Sequence, residues 1–174
     1  ITRIYEGTNG IQALDLVGRK LPQEMGRLLR RFFHPLAAEL EALAAPGADP
    51  VLAGLAAPLA KAFGRLQQAT AVIAERGLAD PDAAAAAAAD YLRLFGLVAL
   101  GAMWLRLARA AQAKLEGAKL EGAKLEKGGD AAFCRAKLAT AGFFMSKLLP
   151  ETGFRLSAIL AGARPVMELD EAWF

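Results

Sequence analysis

Residues 80–112 read DPDAAAAAAADYLRLFGLVALGAMWLRLARAAQ. Asp followed by Pro is a helix-start signal: the carboxylate caps a free N–H, and proline suits the first helical position because its own N–H is absent. Seven alanines follow over 83–89; alanine loses little side-chain entropy in a helix and lets neighbouring backbones approach closely. Residues 94–105 carry no charge, and a helix that is apolar all round is buried on several sides. The stretch predicts a helix over about 81–112 at the centre of a bundle. Its uncharged part falls short of the roughly 20 residues a membrane span requires, so no transmembrane segment is expected.

Working outward, Asp49-Pro50 repeats the start signal and predicts a helix over about 50–76. Residues 1–10, ITRIYEGTNG, read as a loop that opens a helix. Ile11, Leu14, Leu16/Val17 and Leu21 then recur at helical spacing, with Arg19 and Lys20 at the end that favours cations. Pro22 is expected to start the next helix, which carries Leu29, Phe32/Phe33, Leu36, Leu40 and Leu43 on one side. Pro35 predicts a kink or break near His34. Residues 113–127 read AKLEG, AKLEG, AKLEK. A period of five matches neither helix nor strand, and Gly117 and Gly122 weaken any helix there, so a mobile connector or frayed helix end is expected. Asp130 is expected to cap a helix with Phe133, Lys137, Thr140/Ala141, Phe144 and Leu148 on one face. Pro150 starts a further helix reaching Gly162, and the tail ends on a short helical turn or an extended strip.

Composition agrees. The 174 residues hold 40 Ala and 28 Leu against 15 Ile, Val and Thr together, and β-branched residues are the ones that favour strands. The expected fold is all-α, an antiparallel bundle of about five or six helices. A 55% hydrophobic content excludes general disorder. The net charge of +3 is too small and dispersed for a nucleic-acid binder. The single cysteine, Cys134, forbids an intrachain disulfide and fits a reducing, cytoplasmic setting. Beginning at Ile1 within a loop, the chain reads as the C-terminal piece of something longer.

Strong catalytic signatures are few. With one histidine, His34, no His-based metal site is expected. Neither a phosphate-binding glycine loop nor a nucleophile elbow appears. The exception is IYEGTNGIQALDLVGRKL over 4–21. Glu6 stands in a glycine-flanked loop before a helix, where Gly7 lets a ligand approach the backbone. A lone Glu at such a place is more often a cap or a solvated carboxylate.

Tyr5, Glu6, Gly7, Thr8, Asn9, Gly10, Ile11 and Gln12 together resemble the acyl-CoA dehydrogenase family, which carries a Tyr-Glu-Gly-Thr-x-x-Ile-Gln stretch near the end of its catalytic part. Leu14-Asp15-Leu16 and Gly18-Arg19-Lys20 look like the subgroup with an extra C-terminal helical domain. FCRAKLATAGFFMSKLLPETG (133–153) and MELDEAWF (167–174) are similar to that domain, less specifically. The resemblance implies α,β-dehydrogenation of an acyl-CoA thioester, with FAD accepting the β-hydride and Glu6 taking the α-proton. It places Gly7 beside the thioester and Thr8, Asn9 and Gln12 against FAD, although Gln12 at a helix start also suits a cap. A free Glu, with a pKa of roughly 4.3, is too weak a base, and burial against flavin and acyl chain would raise it. Residues 1–21 would close the catalytic domain and 22–174 form the extension. An electron-transferring flavoprotein is the implied electron acceptor and a homo-oligomer the implied assembly. The family's N-terminal helical and middle β-domains are absent, so the chain alone is expected to be inactive and colourless.

Other features read plainly. Arg27, Arg30, Arg31 and His34 share a helix face that suits a solvated surface better than a CoA or FAD phosphate site. Phe32/Phe33 and Phe143/Phe144 suit a core, Cys134 has no local acid–base partner, and Trp104 and Trp173 suit packing or a subunit contact. The alternative to an enzyme is a non-catalytic helical oligomerisation or interaction module. Membrane-surface attachment ranks last, since no helix joins a cationic face to exposed aromatics.

Overall fold

The computed structural model of the chain describes residues 8–120, 130–169 and 171–173, and every regular element among them is helical. Helix α1 covers Asn9–Asp15 and runs into a wider turn, Leu16–Lys20. Helices α2, α3 and α4 cover Arg27–Ala44, Pro50–Ala79 and Pro81–Leu120. Helix α5 covers Asp130–Phe143 and widens over Phe144–Leu148; α6 is Glu151–Ala161, and α7 is the short Arg164–Met167. The tail ends on a helical turn, Glu171–Trp173.

Both Asp-Pro signals work as expected. Asp49 accepts the Leu52 N–H at 2.8 Å and Asp80 accepts the Asp82 N–H at 2.9 Å. Asp80 alone separates α3 from α4, and the contacts mirror about it. A Cβ at Gly77 would lie 2.9 Å from Ala84 Cβ, and one at Gly101 would lie 2.7 Å from Leu59 Cδ1. Thr70 Oγ1 meets Tyr91 OH at 2.8 Å, and Gln112 donates to Asp49 at 3.0 Å. The two helices are therefore antiparallel along the whole length of α3.

Helix α4 is the hub. Helix α5 runs antiparallel to it, with Cys134 against Ala111 and Leu115, Lys137 over Trp104, and Phe144 beside Gly101. Helix α6 does likewise through Glu151–Arg93 at 2.9 Å and Arg155–Asp90 at 2.8 Å. Helix α2 runs parallel to it, stacking Phe32 on Phe95 and setting Glu39 against Arg106 and Arg109. The stretch 94–105 buries Leu94, Leu97, Val98, Ala102 and Leu105 but leaves Leu100 and Met103 exposed on the outer side. By length and composition alone, the helix over Pro81–Gly117 holds an apolar stretch long enough to cross a membrane, longer than the uncharged residues 94–105 because such a stretch tolerates a charge or two. Here it serves as the packed centre of the bundle.

Several expectations are corrected. Pro22 does not start α2: Glu24, Met25 and Gly26 all have positive φ, and the helix begins at Arg27. Pro35 neither ends nor interrupts α2. The carbonyl it deprives of a partner is that of Arg31; both residues are exposed, so water can satisfy it. Residues 113–120 of the repeat continue α4 instead of forming a connector. Leu115 is buried against α5, and that packing outweighs the roughly 1 kcal/mol that a helical glycine such as Gly117 costs; the rest of the repeat lies outside the described residues. On α5, the buried positions are Ala131, Cys134 and Ala141, then Phe144 and Met145, whereas Phe133, Phe143 and Leu148 face solvent. The wider turn, closed by the Leu149 N–H on Phe144 O at 3.0 Å, brings Phe144 and Leu149 to the same core face.

Candidate functional site

The start of α1 gathers the described members of the motif. Thr8 caps the helix through its backbone, its carbonyl accepting the Gln12 N–H at 2.8 Å. Its side chain makes no capping bond, and Gln12 does not cap either. Thr8, Asn9 and Gln12 all lie exposed at this end, beside an Ile11 that is 66% exposed. Buried Ala13 and Val17 fix the opposite face in the core. The hydroxyl and two amides thus stand free for a polar ligand. Glu6 and Gly7 lie outside the described residues.

Asp15 follows on the same helix, held by Arg19 at 2.9 Å and Lys20 at 3.2 Å. The Arg19 hydrogen bond, aided by Lys20, pulls the Asp15 carboxyl down to about 2. Of the basic face on α2, Arg27 pairs with Glu24 at 2.8 Å and Arg30 donates to Met25 O at 2.7 Å. Arg31 and His34 are simply exposed, so half of that face is spent on the adjoining turn.

A cavity of about 600 Å³ opens between α1, the turn at 21–26 and the corner where α3 meets α4. Leu14, Val17 and Leu21 form one wall and Ile73, Leu78 and Ala84 another, with Thr70 the sole polar side chain among the described lining residues. Thr70 donates to Leu66 O at 2.7 Å, so the Tyr91 hydroxyl must donate to Thr70. Tyr91 is fully buried, and desolvation pushes its phenol up to about 12 despite the Thr70 bond. Sequence reasoning missed this cavity because its walls come from segments far apart in the chain.

It also missed the charge clusters around α4. Arg155 joins Asp90 to Glu151, which Arg93 binds as well. Glu39, on α2, is nearly buried; its Oε1 sits 3.3 Å from Arg109 Nη2 but lacks hydrogen-bond alignment. Buried Thr152 accepts from Arg65 at 2.9 Å. These pairs fasten α2 and α6 to their neighbours. Among the described residues no group of three or more His, Cys, Asp or Glu forms a metal site. Cys134 is buried.

The sequence over residues 33–170, which holds most of the bundle but not the start of α1, matches the family described as "Acetyl-CoA dehydrogenase C-terminal like". The chain belongs to that family and so to the acyl-CoA dehydrogenases. It is 37% identical, over 163 residues, to a protein named 3-methylmercaptopropionyl-CoA dehydrogenase from Ruegeria pomeroyi. The alignment takes in 91% of this chain, which spans about a quarter of that relative's length (25%).

Proposed function

We propose that the chain is the C-terminal part of an FAD-dependent acyl-CoA dehydrogenase that oxidises the α,β bond of an acyl-CoA thioester. The observation that carries this reading is the 37% identity to a CoA dehydrogenase along nearly the whole chain, to which the motif over 5–12 adds the chemistry. In this reading residues 1–21 close the catalytic domain and 22–174 are its helical extension. FAD, when bound, accepts the β-hydride. Glu6 takes the α-proton, its basicity raised by burial in the closed site. Gly7, lacking a side chain, leaves room for the thioester. Thr8, Asn9 and Gln12 would hold FAD, and the freedom of their side chains in the structure suits that role. The described residues offer one wall for such a group and no enclosure.

An electron-transferring flavoprotein as acceptor, assembly as a homo-oligomer and a cytoplasmic location belong to the same proposal. So does the absence of a membrane span, since α4 is packed on by α1, α3, α5 and α6. No nucleic-acid partner is proposed.

The test is Glu6→Gln in the full-length enzyme. Flavin content is expected to persist while turnover and α-proton exchange fall by about 10²–10⁴-fold, the usual worth of a general base. Turnover at the original rate would remove Glu6 from this role. A second reading, a non-catalytic interaction module, is favoured by the exposed Leu100, Met103 and Leu107 on the outer side of α4; it predicts that the protein has no dehydrogenase turnover to lose.

A further inference from the structure

We draw no further inference here: the strongest candidate, the apolar strip that Leu100, Met103 and Leu107 leave exposed on the outer side of α4, is an unpartnered helix face, and nothing in the structure shows what covers it.

Discussion

At Glu151 one carboxylate meets two guanidinium groups. The Arg93 hydrogen bond, then that of Arg155, brings its pKa from 4.5 to about 2. The unfolded chain therefore binds this proton more readily than the folded one. The resulting stability is fully present above pH 4.5 and is lost as pH falls toward about 2. Because the carboxylate is 27% exposed, the cluster is worth about 1 kcal/mol or less, as partly solvated pairs are. Urea midpoints measured across that window should fall with pH more steeply in the native protein than in Glu151→Gln; identical slopes would show that the cluster contributes nothing. Half of it was legible beforehand. Glu151 and Arg155 stand four apart on one helix, but nothing local links either to Asp90 or Arg93, which only the packing of α6 on α4 brings near. Glu6 is the opposite case: its neighbours in the chain carried the whole reading, and the geometry that would test it lies outside the described residues.

At the scale of elements, start signals with a chemical mechanism were legible and their exceptions were set by packing. Asp49 and Asp80 each offer an oxygen to a free N–H, a short-range act that sequence spells out. Pro22 permits a helix start without requiring one; Arg27–Glu24 and Arg30–Met25 instead stabilise a left-handed turn before α2. The AKLEG spacing argued against a helix, yet Leu115 found a buried partner surface on α5. Gly101 shows how tightly the centre is filled, with Leu59, Phe144 and Leu149 all within reach of an added methyl. Leu59 is itself fully buried and has little room to move. Gly101→Val is accordingly expected to cost about 2 kcal/mol through overpacking, read as a lower denaturant midpoint with an unchanged slope. A variant as stable as the native chain would mean that Leu59 can retreat.

For the whole molecule, composition alone announced an all-α bundle, because Ala and Leu leave little material for strands. The order of helices around α4 was not legible, since it depends on side chains distant in sequence: Phe32 with Phe95, Cys134 with Leu115, Thr152 with Arg65. The proposed site is likewise only partly present, with exposed polar groups at the head of α1 and, among the described residues, nothing opposite them. The 174-residue chain prepared by itself is therefore expected to show no flavin absorbance after FAD is added and excess removed. A stoichiometric yellow complex would mean that this region alone encloses the cofactor.

The single-residue link at Asp80 also bears on the order in which the fold assembles. Helices α3 and α4 meet through contacts that zip outward from one corner, so each new contact closes only a slightly longer loop than the last. Loop closure costs entropy that grows with sequence separation, and local contacts form fastest. The long hairpin is thus the natural nucleus, and α5 and α6 dock on it later. Helix α1 must reach α4 across the two intervening helices and α6 must reach back to α3 from Thr152 to Arg65, so both wait on that hairpin for a surface to pack against.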